Sequence, residues 1–248
     1  MKILGIIPAR YRSTRFPGKP LADIHGRPMV ARVFERAARL REFDEVMVAT
    51  DDQRIEAACQ KLDIPTVMTR GDHPTGTDRL AEVAQRLPAD LYVNIQGDEP
   101  MLMPETILAA IHPFLEETSP GFEVSNLMTR IRNQTDLMDA TVPKVVVNVS
   151  SDAVYLSRLP VPYPKDSRRI TYYKQVCVYG FTPWALAEFA RLDQGPLEEA
   201  EGIELLRYIE HGIKVRMVEV EQDTVAVDTP TDLEVVRRLL AEELGGKK

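Results

Sequence analysis

Cysteine is nearly absent. Only Cys59 and Cys177 occur in 248 residues, far apart, which argues against a disulfide framework or a cysteine-based zinc site and fits a reducing cytoplasm. Histidine is scarce too, and no second His or Cys stands at ligand spacing from His73, so that residue reads as a polar loop residue. No apolar run is long enough to cross a bilayer: the run in MKILGIIPAR ends at Pro8 without a small-residue cleavage site, so it reads as a first buried strand and no membrane partner is expected. There is no surplus of positive charge. With 31 Lys and Arg against 38 Asp and Glu the net charge is -7, which disfavours a general nucleic-acid surface but leaves room for a local basic pocket. Internal repeats and low-complexity segments are missing as well. What is present, 44% hydrophobic and 28% charged residues, is an ordinary globular composition, in a chain long enough for one large α/β domain or one with a modest lobe.

Apolar runs at Ile3 to Ile7, Val46 to Ala49 and Leu91 to Ile95 alternate with amphipathic segments, which predicts βαβ units and a mostly parallel sheet. Met29, Val33, Ala37 and Leu40 recur at helical spacing after Pro28. Thr50 and Asp51 are placed to cap a helix over about Gln53 to Leu62, and a short strand follows at Thr66 to Met68. Beyond about residue 120 the runs Val124 to Leu127, Val145 to Val149, Val154 to Ser157 and Gln175 to Phe181 lack long helices between them, predicting a mixed or antiparallel extension. Leu159 to Asp166, LPVPYPKD, reads as an extended loop. Helices at Trp184 to Leu192 and Leu197 to His211, a strand at Lys214 to Val220 and a last helix from about Thr231 to Leu244 complete the pattern.

Four segments carry chemistry. PARYRSTRFPGKP, Pro8 to Pro20, follows the first strand, where open α/β sheets bind ligands, and puts Arg10, Arg12, Arg15 and Lys19 on a loop enforced by Pro17, Gly18 and Pro20. Such a cluster suits phosphate, the plain alternative being a basic surface loop. The glycine spacing matches neither a dinucleotide fingerprint nor a Walker loop, which argues against a dehydrogenase or P-loop kinase. NIQGDEP places Asp98 at the end of a strand, as a metal ligand or as a cap for a helix near Pro104. VAVDTPTDLEVV places Asp228 before a helix that Thr229 or Thr231 can start, where capping competes with metal binding. Two carboxylates from distant positions would suit Mg²⁺ together with substrate phosphates. HPTGTDR, finally, offers hydroxyls and close backbone approach at Thr75, Gly76 and Thr77, with Arg79 in the first turn that follows.

In this order these segments closely resemble the CMP-Kdo synthetases, the 3-deoxy-manno-octulosonate cytidylyltransferases. IIPARYRSTRFPGKPL, VATD, TGTDRLAEV, NIQGDEP, PKVVV, YLSRLPVPY, VYGF and VDTPTDLE all match, covering nearly the whole chain. The resemblance implies a Rossmann-like nucleotide-diphospho-sugar transferase fold, a mixed, mostly parallel sheet flanked by helices, with a small dimerisation lobe and a homodimeric assembly. One cytidylyltransferase domain is expected over residues 1–248, with a CTP-binding part to about 120, a sugar-binding and dimerisation part over about 121–220, and a metal-site segment and helix over 221–248. By resemblance, Arg10 and Lys19 bind the triphosphate of CTP with Arg15 nearby, and Pro8, Ala9, Thr75, Gly76, Arg79 and Gln96 surround the cytidine. Asp98 and Asp228 hold Mg²⁺, Arg158 pairs with the sugar carboxylate, and Tyr179 and Glu204 lie along its hydroxyls.

Two positions depart from the family pattern. Gln175 stands where a His is common, and Leu205 where a Gln usually follows the glutamate. Both would change donors and acceptors facing the sugar, which opens 8-amino-Kdo or another ulosonic acid beside Kdo as the acceptor. The expected reaction is in-line attack of the anomeric hydroxyl on the α-phosphorus of CTP with loss of pyrophosphate and no covalent enzyme intermediate, since no nucleophile with an obvious base is present. The rival readings are another nucleotidyltransferase of this fold and a non-catalytic nucleotide-binding module.

Overall fold

The computed structural model describes residues 1–12, 15–116, 121–166 and 170–245. Ser13 and Thr14 of the basic loop, and residue 120 at the edge of the expected nucleotide part, lie outside them. Two compact units partition the chain, Met1–Leu108 with Thr224–Lys248, and Ala109–Asp223.

In the first unit the apolar runs form β1 (Ile3–Ala9), β4 (Glu45–Thr50), β5 (Thr66–Met68) and β6 (Leu91–Ile95), separated from β1 by the small hairpin β2 (Asp23–Ile24) and β3 (Arg27–Pro28). The larger strands pair in the order β6-β1-β4-β5, every pair parallel. β1 and β6 read as continuous apolar runs because they are buried on both faces. The crossovers supply α1 (Met29–Ala37), α2 (Gln53–Gln60) and α3 (Gly76–Arg86), and the helix α4 (Pro104–Glu116) follows β6. α1 turns Met29, Val33 and Ala37 inward at the predicted spacing, with Val30 beside them, but it ends at Ala37, so Leu40 lies beyond it and is half-buried. α2 is capped one residue later than expected: Asp52 Oδ1 accepts from Arg54 N at 2.9 Å, while Thr50 Oγ1 accepts from Asp52 N. Asp51 is thereby left for another partner. Cys59 is buried, and burial pushes its thiol pKa up to about 11, so it is held as a neutral thiol in the core.

The C-terminal helix, Pro230–Gly245, belongs to this unit. Val227, Leu233, Val236 and Leu240 pack with Ile24 and Met29, and Phe16 and Met101 lie against the cluster. That packing, together with Val227 N donating to Asp98 O at 2.8 Å, brings the end of the chain beside the loop after β6.

The second unit contains β7 (Val124–Arg130), α5 (Gln134–Met138), β8 (Lys144–Val147), β9 (Ala153–Ser157), β10 (Tyr173–Phe181), α6 (Pro183–Arg191), α7 (Pro196–Glu201), α8 (Leu205–Glu210) and β11 (Val215–Glu219). Its sheet is mixed. β7 pairs parallel with β11 and antiparallel with β10, while β8 joins β10 and β9 antiparallel. The single helix expected over Leu197 to His211 is two helices, because Gly202 at φ 62 enters the left-handed region and ends α7. Glu210 then caps α7 from the next helix, accepting from Leu197 N at 2.8 Å and Glu198 N at 3.0 Å. The LPVPYPKD stretch carries no regular element, and Leu159 and Tyr163 are exposed there. Among the described residues no helix is long and apolar enough to cross a membrane.

Candidate active site

One ammonium gathers the predicted acidic residues. Lys19 Nζ donates to Asp98 Oδ2 at 2.6 Å and to Asp228 Oδ1 at 3.3 Å, and Arg15 Nη2 lies 3.1 Å from the same Asp228 oxygen. Lys19 comes from a 3-10 turn, Lys19–Leu21, entered through Gly18 at φ 72, where a side chain would be strained and would crowd Tyr11. Gly18 N donates to Tyr11 O at 2.9 Å and so closes the basic loop on itself. Capping does not compete for Asp228. Thr229 and Asp232 form the cap of the C-terminal helix, with Asp232 Oδ2 accepting from Thr229 N at 2.8 Å and Thr229 Oγ1 accepting from Asp232 N at 3.3 Å. Asp228 contributes its main-chain N–H to that cap, and its carboxylate faces Lys19 and Arg15.

The donor set is two carboxylates. Among the described residues no group of three or more His, Cys, Asp or Glu gathers as a metal site. Zinc would want such a group, whereas Mg²⁺ is typically held by one or two carboxylates with substrate phosphates and water completing its shell. The residues therefore fit Mg²⁺, with a lysine ammonium between the carboxylates as the resident positive charge.

The other nucleotide candidates stand at the carboxyl ends of the parallel strands. Pro8 and Ala9 end β1, and Gln96 follows β6. Arg10 Nη1 donates to Pro74 O at 3.3 Å, while its buried Nη2 has no hydrogen-bond partner among the described residues. An unsatisfied buried guanidinium N–H calls for an acceptor, and a phosphate would supply one. Thr75 caps α3 through a capping box with Asp78, and Gly76 is the first residue of that helix. Arg79 is wholly buried, with Nη1 on Thr69 Oγ1 at 2.5 Å and Nη2 on Asp51 Oδ1 at 2.9 Å, while its Nε has no hydrogen-bond partner among the described residues. Burial pushes its guanidinium pKa down and Asp51 opposes that fall. It braces the start of α3 from behind, and Asp51, first read as a cap, is the counter-charge.

Gly97 lets the Asp98 loop close on β1. A Cβ at this position would meet Pro8 O at 2.9 Å. Gly97→Ala must push that loop off the strand and carry Asp98 from Lys19, so turnover of the folded variant is expected to fall about tenfold or more. Steady-state rates on protein of normal circular dichroism check this.

The sugar candidates all lie in the second unit. Arg158 follows β9 and is held by main chain: Nε donates to Glu201 O at 2.5 Å, Nη1 to Ala140 O at 2.9 Å and Nη2 to Gly202 O at 3.3 Å. A guanidinium carries two N–H groups on each terminal nitrogen, so one on each is left for a bidentate acceptor. Glu204 is the N-cap residue of α8, two positions beyond Gly202. Gln175 and Tyr179 flank an irregularity in β10. There Asn126, wholly buried, donates Nδ2 to the carbonyls of Val176 and Val178, and Gln175 Nε2 donates to Asn126 Oδ1 at 3.1 Å. Tyr179 stacks on Phe181 with ring centroids 5.9 Å apart. Leu205 is buried in the core, so no side-chain donor or acceptor stands at that position.

Paired carboxylates and clustered cations beyond the carboxyl ends of a parallel βαβ sheet define a nucleotide-binding α/β protein equipped for phosphate chemistry. The sequence matches the cytidylyltransferase family over residues 4–216. The 3-deoxy-manno-octulosonate cytidylyltransferase of Geobacter sulfurreducens is 46% identical over 247 residues, covering 95% of this chain and 98% of that protein. The enzyme of that name from Escherichia coli is 42% identical over 243 residues, covering 98% of each. Among solved structures, CMP:2-keto-3-deoxy-manno-octonic acid synthetase complexed with CTP matches with a TM-score of 0.93 at 42% identity, covering 98% of this chain and 100% of that one. The chain belongs to the cytidylyltransferase family, among its 3-deoxy-manno-octulosonate cytidylyltransferases, and is an enzyme, a nucleotidyltransferase. Its fold is that of the nucleotide-diphospho-sugar transferases.

Proposed function

We infer that this enzyme transfers CMP from CTP to the anomeric hydroxyl of Kdo, releasing pyrophosphate and forming CMP-Kdo for lipopolysaccharide biosynthesis. The reading rests above all on the Lys19 ammonium lying within 2.6 Å of Asp98 and 3.3 Å of Asp228, which marks a place where two distant carboxylates share a cation beside a phosphate-suited loop. Asp98 and Asp228 would hold Mg²⁺, and the bound ion supplies Lewis-acid neutralisation of the anionic reactants. Arg10 and Lys19, with Arg15, hold the triphosphate and stabilise charge on the departing pyrophosphate. Pro8, Ala9, Thr75, Gly76 and Gln96 line the cytidine, with Arg79 as the brace behind the helix start.

The first unit serves the nucleotide and the second the sugar acid. Arg158 offers its two remaining N–H groups to the acid carboxylate, while Gln175, Tyr179 and Glu204 meet the hydroxyls. Gln175 gives its Nε2 to Asn126 and keeps its Oε1 for a hydroxyl, Leu205 is buried, and the relatives named for 3-deoxy-manno-octulosonate favour Kdo over its 8-amino analogue. The exposed apolar side chains Val149, Val154, Leu159 and Tyr163 support a homodimer formed through the second unit. A cytoplasmic setting, reducing and supplied with CTP, suits the chemistry. Pyrophosphate release should require CTP over UTP, GTP and ATP, Kdo over 8-amino-Kdo and nonulosonic acids, and a divalent cation. A chelator should abolish it and excess Mg²⁺ restore it, and release with UTP and a sugar phosphate would overturn the reading.

A further inference from the structure

A lysine sits where sheet patterning would place an apolar residue. Lys144, at the start of β8, is wholly buried, flanked across the sheet by Lys174 on one side and Ser157 on the other. Its Nζ donates to Asp139 O at 2.5 Å and to Arg158 O at 3.1 Å. Burying an ammonium is expensive, and a Met would fill the same volume at far less cost, so packing alone does not account for it.

The two acceptors bracket Arg158. One is Arg158's own carbonyl. The other belongs to Asp139, adjoining Ala140, whose carbonyl receives Arg158 Nη1 at 2.9 Å. The turn over 139–141 is itself pinned by the Asp139 carboxylate, which accepts from Thr141 N at 2.8 Å and Thr141 Oγ1 at 2.7 Å. On the opposite side the Glu201 carboxylate accepts from Arg158 N at 2.8 Å and from Tyr155 Oη at 3.1 Å. Arg158 is thus clamped at its backbone and at its guanidinium, and the Lys144 ammonium ties its carbonyl to the turn that carries Ala140. Burial pushes its ammonium pKa down, and Asp139 and Asp136 oppose that fall.

We propose that Lys144 is a positioning residue for the sugar acid: by holding the carbonyls of Asp139 and Arg158 it locks the Arg158 guanidinium in the one orientation that presents its two remaining N–H groups to a carboxylate. This rests on the reading of Arg158 as the acid's partner. A lysine reaches both carbonyls from beneath the sheet surface, and its charge, kept close to that of Arg158, adds to the attraction for an anion without touching it.

The test separates the two claims. Steady-state kinetics with CTP and Kdo are measured for wild type, Lys144→Met, Arg158→Ala and the double variant. Lys144→Met should raise KM for the acid about tenfold or more while KM for CTP stays within about twofold, and in the Arg158→Ala background it should add nothing further. An unchanged acid KM in Lys144→Met, or a rise of equal size with and without Arg158, overturns the positioning role. An unchanged acid KM in Arg158→Ala overturns the underlying reading instead. Should Lys144→Met fail to fold, Asp139→Ala carries the test, because the exposed Asp139 side chain serves the same turn. Its acid KM should rise severalfold with CTP unaffected and with the same dependence on Arg158, and no rise overturns the proposal.

Discussion

Asp98→Asn should lower turnover by at least ~100-fold with the fold preserved, since removing one preorganised charge-stabilising group costs catalysis about 3 kcal/mol or more. The amide keeps the shape and one carbonyl oxygen but loses the negative charge that faces Lys19 at 2.6 Å. Stability should barely move, because the pair is partly solvated and such ion pairs contribute about 0–1 kcal/mol. Asp228→Asn should behave alike. The double variant should be little worse than either single one, because the carboxylates act as a unit on one cation. Initial rates with saturating CTP and titrated Mg²⁺, beside an unfolding curve, check both parts. Near-normal turnover in Asp98→Asn would remove the metal role and leave Lys19 with a purely structural partner.

The nucleotide half was legible because its signals are local. A strand, a turn enforced by Pro17 and Gly18, and a charged loop follow one another in the chain, and β1, β5 and β6 form where the apolar runs put them. The convergence of Asp98 with Asp228 was an expectation from resemblance. Its physical cause, Val227 bonding the carbonyl of Asp98 while Leu233, Val236 and Leu240 pack on Ile24 and Met29, is visible only in three dimensions. The T-x-x-D pattern of Thr229 and Asp232 could have freed Asp228 from a capping role earlier, since a box supplied by the next residue leaves the aspartate without that duty.

In the sugar half the missing signals are of another kind. Asn126, Lys144 and Glu201 bond main-chain carbonyls or N–H groups, and a main-chain partner leaves no mark on residue type. Lys144 also carries a charge that reads as solvent-facing, yet it is wholly buried. Gly202 was readable as a helix breaker, and the uniform helical pattern on both sides of it hid that. The four carboxylates in PLEEAEGIE obscured a further point: Glu198 is structural, Glu201 serves Arg158, and Glu204 is the substrate candidate, while Glu210 of the next helix caps α7.

Glu198→Ala should be the most damaging single change to the second unit, costing about 3–5 kcal/mol. Glu198 and Arg207 are both buried, and the carboxylate accepts from Nε and Nη2, each at 2.8 Å. The same guanidinium donates Nη1 to Phe189 O at 3.1 Å and lies 3.8 Å from the centroid of the Phe189 ring, so it fastens α7 and α8 to the end of α6. Deleting the carboxylate strands a positive charge in the interior, which costs far more than the pair contributes when intact. Replacing both partners by apolar residues of similar volume, Glu198→Leu with Arg207→Met, should therefore recover most of the loss. Denaturant unfolding of the two variants checks the contrast, and equal destabilisation by the single and double changes would contradict it. The functional consequence follows from position. α7 ends in Glu201 and α8 begins after Glu204, so loosening their junction should raise KM for the sugar acid before it touches KM for CTP, whose proposed contacts all lie in the other unit.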